Sequence, residues 1–296
     1  MTPNAIEIRG LVKKYPRFQL GPVELTVPRG AIYGLIGPNG SGKTTTIDLI
    51  FGLGQNDAGQ IRVLGLDHRA EEVPLKRRAA YVSPELNFQV WGKVGKAIRF
   101  LRGFYPEWDE AYCAALMKAF HLSPADRITT LSTGAKTKLS LVPALARRPE
   151  VLVLDEPLTG LDALSKQQLF GELLKFVKDG ERSVLISSHS LADLERFADH
   201  VGMLKNGRLV VEGRMDEVVE RYRLVEFFTG NSGDLQSPAP EGLLILKRNE
   251  NRWHALLDRQ SGAEAWLQAN GAQQISLTRL TLEDLFVALF KEEEPQ

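Results

Sequence analysis

The eight residues Gly37, Pro38, Asn39, Gly40, Ser41, Gly42, Lys43 and Thr44 constrain this chain more than any other stretch of it. They lie between the apolar run Ala31 to Ile36 and the segment Thr45 to Ile50. That is the strand, glycine-loop and helix context in which such a pattern builds a phosphate cradle. The glycines let backbone N–H groups turn inward around a polyphosphate, and the N-terminus of the following helix favours the same anion. Lys43 is then placed to reach the β- and γ-phosphates, the Thr44 hydroxyl to ligate Mg²⁺, and Thr45 to extend the contact surface. The expected ligand is a nucleoside triphosphate.

The second half of such a site lies more than a hundred residues further on. Val151 to Leu154 is a continuous apolar run, the mark of a strand buried in a parallel sheet. It ends in Asp155, Glu156 and Pro157, and the proline stops the strand where the two acids begin. Asp155 is the expected Mg²⁺-shell residue, as in other phosphate-loop ATPases. Glu156 points another way and is the candidate to polarise a water in line with the γ-phosphate.

A chain of 296 residues holds one substantial α/β domain plus something small. Thirty-seven basic and thirty-seven acidic residues cancel, so the charge excess of a general nucleic-acid binder is missing and no direct nucleic-acid contact is expected. The single cysteine, Cys113, excludes an intramolecular disulfide and suits a reducing compartment. Residues 1–8 lack the basic start and apolar core of a signal peptide, and no window approaches eighteen consecutive apolar residues. Any membrane association is therefore expected through a partner.

Along the chain, Ala5 to Val12 and Val23 to Val27 alternate as strands. Gln60 to Leu64 and Ala79 to Ser83 read as further strands, the second leading into a loop over Pro84, Glu85, Leu86 and Asn87. Between about 88 and 147 the character turns helical, with Gly95 to Phe104, Asp109 to His121 and Lys136 to Arg147 as the periodic segments. Val184 to Ser188 resumes the sheet and Leu191 to Phe197 is helical. Asn206-Gly207 marks a hairpin, and Met215 to Arg221 reads as a closing helix. These elements define a first domain over 1–222. After a turn-rich loop over 230–240, two alternating segments (Leu243 to Lys247, Trp253 to Leu257) and two helical ones (Ala263 to Ala269, Glu283 to Phe290) suggest a small α+β appendage over 223–296. Phe227, Phe228, Trp253 and Trp266 are its expected core aromatics.

Taken in order, the phosphate loop, the helical insert, Leu131 to Gly134, Leu154 to Pro157, Gly160 to Asp162 and His189 resemble the nucleotide-binding subunit of ATP-binding cassette (ABC) proteins over about residues 4–220. The region ending in Leu282 to Leu289 looks like the accessory segment of cassette ATPases that serve export-type (ABC-2) permeases. The resemblance implies an α/β phosphate-loop NTPase core with an antiparallel β subdomain and a helical insert. It also assigns roles. Tyr15 looks like the ring that stacks on adenine. Ser132 and the backbone around Gly134, at a helix starting near Ala135, would face the γ-phosphate held by the other subunit of a head-to-tail dimer. Asp162 resembles the acid that crosses that interface. His189 resembles the switch histidine that holds Glu156 and its water in line.

Three departures accompany this likeness. Thr133 replaces the usual second glycine of the signature loop, Ala135 the usual glutamine, and Glu85 the usual glutamine of its own loop. Glu85 still offers an oxygen to Mg²⁺ or its waters, and it adds negative charge beside Asp155 and Glu156. The expected activity is Mg²⁺-dependent ATP hydrolysis by a dimer, with itself or a related subunit, powering a membrane permease from its cytoplasmic face. Phe88, Val90 and Trp91 are candidate permease contacts. The alternatives are a soluble cassette ATPase acting on nucleic acid or ribosomes, and a regulatory ATP-binding module of negligible turnover.

Overall fold

The computed structural model describes residues 4–83, 85, 88–230 and 239–290. It divides the chain into two compact units, Met1–Glu212 and Gly213–Gln296, each with its own core.

The first unit opens with β1 (Ile6–Tyr15), β2 (Phe18–Val27), β3 (Ile32–Ile36), α1 (Lys43–Ile50), β4 (Ala58–Val63) and β5 (Leu66–Asp67). β2, β1, β4 and β5 form an antiparallel sheet in that order. Its strands alternate because one face is covered: Ile6, Ile8, Val23, Leu25 and Val27 are buried while Glu7, Pro22, Glu24 and Thr26 meet solvent in part or in full. The covered face packs on Ile47, Leu49 and Ile50 of α1 and on core-sheet residues such as Tyr33, Val153 and Leu185, giving one continuous cluster.

The rest of the unit supplies α2 (Glu72–Arg78), β6 (Ala79–Val82), α3 (Val94–Arg102), α4 (Glu110–Ala119), α5 (Thr133–Ala146), β7 (Val151–Leu154), α6 (Ala163–Val177), β8 (Ser183–Ser188), α7 (Leu191–Phe197), β9 (His200–Lys205) and β10 (Arg208–Arg214). The second sheet runs β10-β9-β3-β8-β7-β6, with β9, β3, β8, β7 and β6 parallel. Every residue of β3, β7 and β8 is buried, which is why these strands read as apolar runs rather than alternations. Ile36 pairs with Ser188 and Leu154 with Ile186, so three strand ends deliver Gly37, Asp155 and His189 to one edge of the sheet. Ligands of open α/β sheets collect at that carboxyl edge. Asn206 and Gly207, both at positive φ, close the β9–β10 hairpin as the sequence suggests.

Between β6 and β7, α3, α4 and α5 form the expected helical insert, with α5 packed on both other helices and on β6. Asp109 caps α4 by accepting from the Tyr112 N–H at 2.8 Å. α5 starts at Thr133, two residues earlier than expected, because Ser132 takes the N-cap and its Oγ accepts from the Ala135 N–H at 3.2 Å. Pro143 lies inside α5 within the wholly buried run 139–146, where packing outweighs the lost hydrogen bond. Among the described residues, no helix is long and apolar enough to cross a membrane.

The second unit contains α8 (Met215–Arg221), β11 (Tyr222–Phe228), β12 (Leu243–Asn249), β13 (Arg252–Asp258), α9 (Ala263–Ala269), β14 (Gln273–Thr278) and α10 (Leu282–Phe290). Its antiparallel sheet has the order β12-β13-β11-β14. β12, β13 and both later helices lie where the sequence suggests, but β11 and β14 were not anticipated. β14 has no buried residue and so carries no alternation to read. Phe227 stacks on Trp253 with centroids 5.9 Å apart, and Trp266 packs against the same cluster. Phe228 is half-buried and outside that cluster, contrary to expectation. The turn-rich loop falls largely outside the described residues, as do residues 291–296.

Candidate nucleotide-binding site

The phosphate loop leaves β3 and enters α1 through two glycines with different constraints. A Cβ on Gly37 would lie 2.4 Å from Ser41 Oγ and 2.5 Å from the Leu204 carbonyl oxygen, so that position admits no side chain. Gly42 caps α1 at φ 110°, a left-handed conformation that other residues rarely adopt. Pro38, Asn39, Gly40 and Thr44 are exposed, Thr45 is half-buried, and Ser41 and Lys43 are buried. The Lys43 ammonium donates to the carbonyls of Gly37 at 2.7 Å and Pro38 at 3.3 Å, and lies 3.6 Å from Glu156 Oε1. It thus spans the loop and the acid pair.

A hydrogen-bonded ladder joins the other strand ends. Thr44 Oγ1 donates to Asp155 Oδ2 at 2.9 Å, and Ser187 Oγ donates to Asp155 Oδ1 at 2.5 Å. The same Ser187 oxygen accepts from the Glu156 N–H at 2.9 Å. His189 Nδ1 lies 2.7 Å from Glu156 Oε2. Glu156 has φ 49°, rare for a residue with a side chain, which turns its carboxylate away from Asp155 and toward Lys43 and His189. Strained backbone of this kind costs about 1–3 kcal/mol and persists only where surrounding contacts impose it. Lys43, Thr44, Asp155, Glu156 and His189 are therefore brought together. Ser187, which links the two acids, carries no sequence signal.

Glu85 lines a cavity of about 280 Å³ with Asp155, Glu156, Thr133 and Lys136. Asp48, another residue without a sequence signal, stands nearby and accepts from the Tyr81 hydroxyl at 3.2 Å. Burial pushes the Asp48 carboxyl up from its ordinary value, the Tyr81 hydrogen bond opposes this, and the charges of Asp155 and Glu85 reinforce it. Pro84, Leu86 and Asn87 of the same loop lie outside the described residues.

Tyr15 is 47% exposed at the end of β1, with Lys13 Nζ 5.5 Å from its ring. It stacks on Phe18 at 6.4 Å between centroids. Phe18 in turn abuts the phosphate loop: its ring would lie 3.2 Å from a Cβ on Gly42. Phe18 carries no sequence signal of its own; it pairs with Tyr15 across the turn at Pro16 and Arg17.

Ser132 and Asp162 occupy helix caps. Asp162 Oδ1 accepts from the Ser165 N–H at 2.7 Å at the start of α6, and that bond chiefly holds its carboxyl below its ordinary value. A Cβ on Gly134 would lie 3.2 Å from both the Gly160 carbonyl and Leu161 Cδ2. The segments 132–134 and 160–162 thus pack on each other. Among the described residues, no hydrogen bond or ion pair links Ser132, Gly134 or Asp162 directly to Lys43, Thr44, Asp155, Glu156 or His189.

Several observations fit a bound polyphosphate and metal. Ser41 Oγ is buried in the loop with no hydrogen-bond partner. Thr44 and Asp155 place two hard oxygen donors side by side, the donor type Mg²⁺ takes from proteins when phosphates supply the rest of its shell. Among the described residues there is no cluster of three or more His, Cys, Asp or Glu arranged to hold a metal ion.

Residues 20–159 match the family model described as ABC transporter. The ABC transporter ATP-binding protein YtrB of Bacillus subtilis (strain 168) is 34% identical over 218 residues, 73% of this chain and 74% of that protein. The daunorubicin/doxorubicin resistance ATP-binding protein DrrA of Streptomyces peucetius is 33% identical over 88% of this chain and 76% of its own length. The daunorubicin resistance ATP-binding protein DrrA3 of Streptomyces coeruleorubidus is 29% identical over 98% and 96%, so that match includes the second unit. A solved ATP-binding subunit of an ABC transporter superposes with a TM-score of 0.64 at 28% identity, over 73% of this chain and 92% of that one. With the phosphate loop, the acid pair and the histidine gathered at one sheet edge, the chain belongs to the ABC transporter family as an ATP-binding subunit.

Proposed function

We propose that this chain hydrolyses Mg²⁺-ATP as one half of a head-to-tail dimer and drives a membrane permease, in a transporter that exports its cargo. The observation that carries this reading is the unbroken ladder from Thr44 through Asp155, Ser187 and Glu156 to His189, with Lys43 against Glu156. In the proposed reaction Lys43 turns from the loop carbonyls to the γ-phosphate. Glu156, oriented by His189, then takes up a proton from the attacking water. Thr44, Asp155 and Glu85 would hold Mg²⁺, whose charge neutralises the phosphate oxygens.

Ser132 and Gly134 serve the site of the second subunit. Their own chain's packing of 132–134 against 160–162 leaves Ser132 at an exposed helix start, where a partner's phosphate gains from unpaired N–H groups. Tyr15 supplies an exposed ring for the base. The permease contact falls on an apolar surface of the insert. There Trp91 stacks on Phe100 at 3.9 Å, Phe104 meets Phe100 edge-on at 4.9 Å, and Val90 is 84% exposed. Export follows the relative described as a Nod factor export ATP-binding protein. The site at the chain's membrane partner is then on the cytoplasmic face.

The test is ATP turnover per chain against protein concentration, with and without Mg²⁺, beside Lys43→Ala. A metal-dependent rate that rises with concentration and disappears in the variant is expected. A rate independent of concentration would refute the composite site, and turnover retained by Lys43→Ala would refute the catalytic assignment. Glu156→Gln is expected to bind ATP, lose nearly all turnover and accumulate as dimer.

A further inference from the structure

His189 presents a positioning problem. Its ring is 64% exposed, so packing does not hold it, yet its proposed role needs a fixed approach to Glu156. The surrounding backbone supplies the constraint. The Ser190 N–H bonds Ser188 Oγ at 2.9 Å, and Ser190 Oγ donates to Asp193 Oδ2 at 2.5 Å. Ser190 is the N-cap of α7, but its side chain makes no cap hydrogen bond and is committed to Asp193 instead.

Asp193 is held from outside its own helix. Lys166 Nζ, on the first turn of α6, donates to the same Oδ2 at 2.8 Å. The Lys166 N–H bonds the Asp162 carbonyl at 2.9 Å, while Asp162 Oδ1 caps the same turn through the Ser165 N–H. A continuous series of bonds therefore runs from Asp162 through Lys166, Asp193 and Ser190 to the peptide beside His189. Both Lys166 and Asp193 are about a quarter exposed, enough burial to keep the pair ordered.

We infer that Lys166 and Asp193 form a strut that positions His189 against Glu156, an inference that rests on the catalytic reading of His189 above. Neither residue is among the proposed nucleotide contacts, so both act through the histidine.

The experiment compares Lys166→Met, Lys166→Arg and Asp193→Asn in the full chain, alone and combined with His189→Ala. Single-turnover ATP hydrolysis, nucleotide affinity and the His189 imidazole NMR signals are the readouts. Lys166→Met and Asp193→Asn are expected to slow hydrolysis by about ten- to a hundredfold, the upper figure being the cost of a misplacement of about 1 Å, with affinity unchanged. They should shift the His189 signals, and Lys166→Arg should restore most of the rate. On the His189→Ala background they should cost nothing further, since the group they position is gone. Equal losses on both backgrounds, or unmoved His189 signals, would overturn the strut while leaving the histidine's role intact. A His189→Ala variant with undiminished hydrolysis would instead overturn the parent reading and the strut with it.

Discussion

Replacing Ser187 by alanine isolates one oxygen that ties both acids of the site. That oxygen donates to Asp155 at 2.5 Å and accepts from the Glu156 N–H at 2.9 Å, in a residue with no exposed surface. A hydrogen bond to a charged group contributes about 1.5–3 kcal/mol and a neutral one about 1 kcal/mol, so losing the pair should cost roughly 3 kcal/mol. For a unit of this size that lowers the unfolding midpoint by roughly 6–12 °C. The shape change is one atom, so cavity formation adds little. Glu156 also loses the contact that anchors its positive-φ peptide, and relaxation of that peptide swings the carboxylate away from His189. Turnover should therefore fall by about tenfold or more while nucleotide affinity, set mainly by the loop, changes little. Urea or thermal unfolding measures the first effect, and steady-state hydrolysis with a separate binding assay measures the second. A variant within about 0.5 kcal/mol of the parent that also keeps full turnover would refute the reasoning, because such a change is no larger than an ordinary surface substitution.

Glu150 tests a different kind of contact. It accepts from Arg78 at 2.5 and 2.9 Å and from Arg29 at 2.5 Å, tying the ends of β2, α2 and β7, and the Arg78 bond chiefly holds its carboxyl below the ordinary 4.5. Because these side chains are partly exposed, Glu150→Gln should cost only about 1 kcal/mol at neutral pH in urea unfolding. Because the folded-state value is lowered, the contribution is fully present above about pH 4.5 and is lost as pH falls from there through the lower folded-state value, so parent and variant should converge in acid. In the second unit, Phe227→Ala removes a fully buried ring stacked on Trp253 and should destabilise that unit by about 3–5 kcal/mol, read from its tryptophan fluorescence.

The contiguous parts of the site were legible in the sequence. Gly37 to Thr44, the acid pair after Val151 to Leu154, and the hairpin at Asn206-Gly207 each express a local rule: steric room, strand burial or turn geometry. The apolar runs of β3, β7 and β8 announced a buried parallel sheet for the same reason. Where an element lacked a buried face, as in β14, the pattern vanished and so did the reading.

What the sequence by itself determined was the chemistry available: a phosphate cradle, two acids, a histidine and the strands that carry them. These are properties of neighbours along the chain, set by backbone freedom and side-chain alternation. Only the tertiary structure decided how they engage. Ser187 bridging Asp155 and Glu156, Phe18 against Gly42, Asp48 bonded to Tyr81, and Lys166 bracing Asp193 join residues brought together by sheet register and helix packing. A serine, a phenylalanine or a lysine at such positions satisfies many folds equally well, and only the arrangement of strand ends gives each one its partner.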